Sequence, residues 1–374
     1  MTLNKDTGKW YHVANNEVIP SPALLIYPDR IEDNIRKMVE ITGDADRLRP
    51  HVKTHKMPEI IRMQVEHGIT RFKCSTISEA EMTAENGARD IILALQPVGP
   101  AAERFFALKK KYPDVNISCI CDTESVIRII AEKAIRHGAQ TDIWLDINNG
   151  MNRTGIYPGD KAAELFTLIN SLPMLRAAGL HAYDGHIRDS DFNLRKKKSD
   201  EAFKLVTALA EKLRKIVKHD IPVVAGGSPT FSVHAMREGV ECSPGTVLLW
   251  DYGYSSSLPD TVFSHAAVLM TRVISKPAEG LLCLDLGHKA IGSEMPHPRI
   301  IFFDMEEYTA VNHSEEHLVI KTPEAEKFNP GDVLYGIPWH ICPTVDRHDL
   351  AYVIRKNRAT EVWSVEARKR FISV

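Results

Sequence analysis

The sequence predicts an α/β protein, a (β/α)8 barrel of the TIM type followed by a mostly β C-terminal domain. Three observations point there. Short apolar runs recur at about 48–53, 71–75, 90–95, 116–121, 142–147, 178–183, 222–226 and 241–249. Amphipathic segments separate them, and apolar strands alternating with helices mean a parallel sheet buried on both faces. Eight such units over about 200 residues suit a closed barrel. The rhythm then breaks near residue 255, and short runs punctuated by turn residues take over. An open doubly wound sheet is the alternative. The first apolar βα junction has no Gly-x-Gly-x-x-Gly, which argues against a dinucleotide site.

Taken in order, residues 1–20 are mostly polar, with Trp10 and Tyr11 among them, and are expected as an edge strand. Residues 22–27 read as a strand. Asp29 can cap a helix over 29–42, with Ile31, Ile35, Met38 and Val39 on one face. This helix would close the barrel. The barrel's own helices are expected at 56–67, 77–87, 99–111, 124–138, 159–172 and 196–218. The basic run Arg195 to Lys198 at the start of the last one reads as a solvated face. Beyond the barrel, strands are expected at 266–270, 281–285, 299–303, 317–320, 332–335 and 352–355. The domains are accordingly 20–258 for the barrel and 259–374 for the β domain, with residues 1–19 packing on the latter.

Composition narrows the class. With 44% hydrophobic and 26% charged residues, the chain is an ordinary globular protein. A net charge of −2 gives no field that would gather nucleic acid. No apolar run approaches the roughly 18 residues of a membrane span, and the first ten residues lack the apolar core of a signal peptide. Six cysteines stand without a Cys-x-x-Cys pair, which reads as reduced thiols in a cytoplasmic protein.

The densest chemistry lies at Leu48 to Lys56, where Arg49, His51, Lys53, His55 and Lys56 crowd nine residues. A lysine at the mouth of a buried strand can lose its charge and become a nucleophilic amine. Its natural partner is an aldehyde, of which pyridoxal 5'-phosphate (PLP) is the common one. A basic loop after a strand is the plainer alternative. Other polar stretches end later strands: Asn148 to Gly155, His181 to His186, Ala225 to Thr230 and Ser243 to Thr246. In a barrel these fall on one rim, with small and hydroxyl residues after strands seven and eight, where phosphate often sits.

Residues 22–25 (Pro-Ala-Leu-Leu), Arg49 to Lys56 (Arg-Pro-His-Val-Lys-Thr-His-Lys), Gly150 to Gly155 (Gly-Met-Asn-Arg-Thr-Gly), Gly226 to Thr230 and His340-Ile-Cys342 together resemble the fold-type III PLP enzymes. More closely they are similar to the D-threonine aldolase and D-serine dehydratase branch related to alanine racemase. The resemblance runs from about 20 to 365. It implies Lys53 as the cofactor's Schiff-base lysine, with Lys56 a lesser candidate. It implies Arg153 near the cofactor's phenolic oxygen and Tyr183 beside its ring. Gly226, Gly227, Ser228 and Thr230, with Gly245 and Thr246, match the phosphate cradle.

His340 and Cys342 alternate, so on a strand both would point to one side. Imidazole and thiolate suit a borderline-soft divalent metal; a structural histidine beside a buried cysteine is the other reading. In the branch that His340 resembles, the pair binds a divalent metal. Cysteine at the second position is similar to the zinc-dependent D-serine dehydratases, so Zn2+ is favoured over Mn2+ or Mg2+. The family's aldolases often carry histidine directly after the tyrosine; here that place is Asp184, with His186 two residues on. Either is a candidate base for the substrate hydroxyl. His51 and His55 are expected to flank Lys53 on its side of the strand.

The resemblance therefore implies a PLP- and metal-dependent lyase on D-configured 3-hydroxy amino acids. Retro-aldol cleavage to glycine and an aldehyde is favoured. Dehydration to a 2-oxo acid and ammonia is the alternative, and amino acid racemisation a remote one. A single-barrel PLP carrier would lack residues 262–374. A homodimer acting on a small D-amino acid, with no nucleic-acid or membrane partner, is the expected assembly.

Overall fold

The computed structural model describes residues 9–374. Seven parallel strands run in sequence order: β2 (Arg71–Cys74), β3 (Asp90–Leu93), β4 (Asn116–Cys121), β5 (Thr141–Ile147), β6 (Leu175–Ala182), β7 (Val223–Ala225) and β8 (Val240–Cys242). Residues 48–51 fill the eighth place. Leu48 bridges Cys242 and His51 bridges Lys73, both in parallel sense. The Arg49 N–H donates to Cys242 O and the Lys73 N–H to Pro50 O, so the ring is joined at both sides of this segment.

Helices follow the strands as the periodicity predicts: α2 (Pro58–Glu66), α3 (Ile77–Glu85), α4 (Pro100–Lys111), α5 (Glu124–His137), α6 (Asp160–Ser171) and α7 (Phe192–Val217); a short α8 (Phe231–Ala235), outside that pattern, follows β7. Ahead of them lies α1 (Pro28–Thr42). Pro28 occupies its first turn, and Gly43 ends it at φ +72 in the left-handed conformation that glycine adopts without strain. Ile31, Ile35 and Met38 are buried on the core face. Inside the barrel, Ile92, Ile120, Trp144 and Val224 pack into a small floor.

A second, nine-stranded sheet is built from β1 (Ala23–Ile26), β9 (Ala267–Ser275), β10 (Leu281–Leu284), β11 (Ile300–Phe302), β12 (Thr309–His313), β13 (Leu318–Lys321), β14 (Val333–Pro338), β15 (Leu350–Arg355) and β16 (Arg358–Ser364). Strand β1 sits in its middle, antiparallel to β9 and parallel to β15. All four of its residues are buried. Two short helices, α9 (Tyr252–Ser257) and α10 (Ile341–Val345), return the chain toward the barrel mouth.

The secondary structure of the two sheets and their surroundings departs from expectation at several points. Residues 9–20 form a turn and a 3-10 turn over Asn16–Val18, not an edge strand; Trp10 and Tyr11 instead pack their rings on Tyr27 and Phe303. Residues 1–8 lie outside the described range. The run at 241–249 is strand only to Cys242, because Pro244 and Gly245 break it before a 3-10 turn at Thr246–Leu248. Residues 52–54 are likewise a 3-10 turn. Strands β12 and β16 had no apolar signal, because most of their side chains face solvent. Arg195 is not on a solvated face. It is fully buried, 2.5 Å from Asp260 and donating to Asp189 O, so its charge is matched inside the protein.

Candidate active site

The barrel's C-terminal rim encloses a cavity of about 490 Å3 lined by His51, Lys53, Lys73, Asp146, Arg153, His181 and Tyr183, among others. Tyr183 is its hub. The Arg153 guanidinium lies 4.8 Å from the ring centroid, Lys73 Nζ 5.6 Å and Lys53 Nζ 5.9 Å. Cations over an aromatic face are attracted by its quadrupole. A larger open groove of about 1040 Å3 lies on the second sheet, lined by Glu279, Tyr308 and Lys321 among others, and contains none of the predicted site residues.

Lys53 reaches the cavity because the chain leaves its strand segment in a tight turn. His51 Nδ1 accepts the Lys53 N–H at 3.3 Å, capping that turn. Burial, and then the charges of Lys53 and Lys73, hold the His51 ring well below its ordinary pKa, so it stays neutral. His55 does not share this side. The turn destroys strand alternation, and His55 is fully buried with Nδ1 accepting from the Met57 N–H. Lys56 is separated too: its Nζ pairs with Asp346 at 2.9 Å and Glu79 at 3.4 Å.

Two loops meet beside Lys53. In the first, Gly226 stands at φ +77, and a Cβ there would lie 2.5 Å from the His234 ring. A Cβ on Gly227 would lie 2.9 Å from Tyr183. Only glycine fits this approach. Ser228 Oγ then accepts the Gly245 and Thr246 N–H groups at 3.3 and 3.0 Å, lacing the loops after β7 and β8 together. Beneath lies Asp184, fully buried, accepting from Thr230 Oγ1 at 2.7 Å and lying 2.8 Å from His234 Nε2. Burial alone would raise its pKa, but His234 and Thr230 outweigh it and hold it below the usual value. His186 is exposed, its ring against Gly150.

His340 and Cys342 do not alternate on a strand. Strand β14 ends at Pro338; His340 then precedes α10 and Cys342 lies within it, because Pro343 and Thr344 turn the chain. They still come together, side chain to side chain. Burial would raise the Cys342 thiol, but the His340 ring, Lys53 and Thr54 hold it below its ordinary value. Burial would lower His340, but Cys342, Asp251 and Glu294 raise it to about 9. Glu294 lies 2.5 Å from His340 Nδ1. Cys342 Sγ is 3.2 Å from Thr54 Oγ1 and 3.5 Å from Thr246 Oγ1, so α10 touches both the Lys53 turn and the Ser228-laced loops. Among the described residues, no three His, Cys, Asp or Glu side chains form a metal cluster.

Sequence reasoning missed Lys73, Asp146 and His181. Lys73 and Asp146 stand inside short strand runs, where an inward polar residue gives no periodic signal, and His181 opens the polar stretch that ends β6 without standing out from it. His181 Nδ1 lies 2.7 Å from Asp146 Oδ1 and its Nε2 3.4 Å from Lys73 Nζ. All three are buried. It also missed Asp122, whose carboxylate accepts the Gly155 N–H and ties the Arg153 loop to β4.

Known proteins share this architecture. The model described as alanine racemase, N-terminal domain, matches residues 26–254, and one described as a putative serine dehydratase domain matches 266–354. A D-threonine aldolase of an Arthrobacter species is 28% identical over 359 residues, 94% of this chain and 93% of its own. The crystal structure of a D-threonine aldolase from Filomicrobium marinum superposes with a TM-score of 0.86 at 28% identity, covering 93% of this chain and 96% of that one. A D-threo-3-hydroxyaspartate dehydratase from Delftia sp. HT23 superposes at 0.79 and 21% identity, covering 93% and 97%, a likeness of fold.

Proposed function

The chain belongs to the family of the alanine racemase N-terminal domain, and from that premise we propose a PLP-dependent lyase acting on D-configured 3-hydroxy amino acids. The observation that carries this is the meeting of Lys53, Arg153 and Tyr183 in one cavity with the 226–230 and 245–246 loops beside it. The cavity has room for a pyridine ring, and the glycines leave space that any Cβ would fill. Lys53 would hold the cofactor; Gly226, Gly227, Ser228, Thr230, Gly245 and Thr246 would hold its phosphate. When bound, PLP supplies an electron sink for charge at the substrate's α-carbon.

The chain's own residues do the rest. Arg153 is fixed over Tyr183 and brings a permanent positive charge to the cavity. His51, held neutral, braces the Lys53 turn as an acceptor. Thr230 and Asp184 keep the loop of Gly226 in shape. His340 and Cys342 would hold a divalent metal, with Zn2+ favoured by the thiolate and Mn2+ or Mg2+ as alternatives. Such an ion would act as a Lewis acid on the substrate's hydroxyl. Glu294 would orient the His340 ring, the usual arrangement behind a metal-bound histidine. Two protein donors leave room for water and substrate. Of the two candidate bases, His186 is supported by its open ring, whereas the oxygens of Asp184 are already engaged.

Retro-aldol cleavage to glycine and an aldehyde is the first reading, supported by the two D-threonine aldolases. Dehydration to a 2-oxo acid and ammonia is the second, supported by Cys342 and by the match to the serine dehydratase domain. We take the cofactor unit to be 20–258 and the β unit 259–374, the assembly to be a homodimer, and the compartment to be the cytoplasm, in keeping with six unpaired cysteines. No helix among the described residues is long and apolar enough to cross a membrane. The test is product analysis with D-threonine and D-serine, with and without Zn2+ or Mn2+. Glycine plus acetaldehyde from D-threonine is expected. Pyruvate from D-serine would move the assignment to the dehydratase, and no product from either would defeat the substrate class. Chelation should abolish turnover while PLP stays bound; full activity without metal would defeat the metal assignment.

A further inference from the structure

Three cations surround the Tyr183 ring, and the reading above employs only Lys53 and Arg153. The third, Lys73, lies on β2 with 3% of its surface exposed. Its Nζ is 3.4 Å from His181 Nε2, and His181 Nδ1 is 2.7 Å from Asp146 Oδ1. A carboxylate only accepts, so Nδ1 of the neutral ring carries the hydrogen and Nε2 turns a lone pair to the amine. All three side chains line the same cavity as Lys53.

The groups that bear on Lys73 come from every side. Lys53 and His51 lie on the first barrel segment. Asp146 is on β5, with Arg153 on the loop beyond it. His181, Tyr183 and Asp184 come from β6 and its end, and Asp122 and Cys121 line the cavity from β4. Burial, then Lys53 and Arg153, disfavour a charge on Lys73, while Asp146 and Asp184 favour it. The balance brings the amine to about 7. Burying an ammonium costs free energy that an aliphatic side chain in the same place would not.

We propose that Lys73 is a second working amine of the site: with His181 and Asp146 it forms a proton-holding array that sets the charge facing Lys53 and the cofactor. Protonated, Lys73 donates to His181 and places a positive charge beside the Tyr183 ring. On losing the proton to solvent it remains as a neutral amine, and His181 keeps its tautomer. The link from the array to the cofactor rests on the proposed function; the array itself is a property of the chain without cofactor. Lys73 thus positions charge and protons and acts through its neighbours.

The experiment uses 15N-lysine-labelled protein stripped of PLP, with each lysine Nζ followed against pH by NMR. The Lys73 signal is assigned by its loss in Lys73→Arg, or in Lys73→Met if the arginine does not fold. One signal is expected to titrate at about 7, against the ordinary lysine value of 10.5, and Asp146→Asn should shift it lower still. A wild-type spectrum in which every lysine titrates with the surface ones overturns the array without any variant. PLP is then added back and the visible band followed across the same range. A spectral step near neutral pH is expected in wild type and is lost in both Lys73 variants, while borohydride still fixes the cofactor to Lys53. A step that survives in both variants overturns the link to the cofactor. If PLP does not bind wild type at all, the proposed function fails, and the NMR titration still decides the array.

Discussion

Lys53 and Lys56 stand three residues apart, yet they have opposite surroundings. Lys53 lines the cavity, whereas Lys56 is locked between Glu79 and Asp346. Lys53→Ala should therefore abolish the visible absorption of bound PLP. Lys56→Met should keep the colour and lose about 3 kcal/mol of stability, because Glu79 is left buried without its cation; denaturant titration checks this. Asp184 makes a second residue-scale case. Its pKa is lower in the folded chain than in the unfolded one, so its stabilisation is complete above the ordinary carboxylate value of about 3.9 and is lost as pH falls through the folded value. Asp184→Asn should cost about 2 kcal/mol at neutral pH, and the gap to wild type should narrow in acid. A gap that is constant with pH would show that the carboxylate's charge contributes nothing.

At the scale of elements, the loop after β7 is the most exacting segment. Gly226 combines φ +77 with a space closed by His234. Gly226→Ala should cost about 1–3 kcal/mol of local strain and weaken PLP binding tenfold or more, measured by cofactor titration. The same scale shows what was legible in the sequence. The barrel helices fell within a few residues of expectation because most bury one face and are bounded by turn residues; α7 begins at Phe192 because the Asp191 carboxylate accepts the Leu194 N–H. Loops and glycines stood out for the same kind of reason, since their backbone demands restrict residue type. What stayed hidden was inward polarity. Lys73, Asp146 and His181 occupy strand positions where the pattern cannot tell a buried base from a buried valine. The geometry of His340 and Cys342 was hidden as well, because a two-residue spacing fits a strand and a tight turn equally.

For the whole molecule, the decisive contact is between the two sheets' systems. Helix α10 presents Cys342 to Thr54 and Thr246, and the Ala367 N–H donates to Lys56 O. The 20–258 portion also gives β1 to the middle of the second sheet. Heating should thus produce a single cooperative transition by calorimetry, and PLP should raise its midpoint by mass action. Two separated transitions, with only the first moved by PLP, would mean that the barrel and the second sheet melt independently.

The place of β1 also has a consequence for the newborn chain. Ala23–Ile26 is synthesised far ahead of both its neighbours, for Leu24 pairs with Leu269 on one side and with Ala351 on the other. At bacterial or eukaryotic speeds the wait for Ala351 is on the order of tens of seconds. Until β9 follows, this apolar strand has neither edge paired, and until β15 follows one edge stays open. Synthesis therefore completes the barrel strands before β1 can be housed in the second sheet, and a chain interrupted anywhere short of β15 carries β1 with at least one edge open, a handle for chaperones and for aggregation alike.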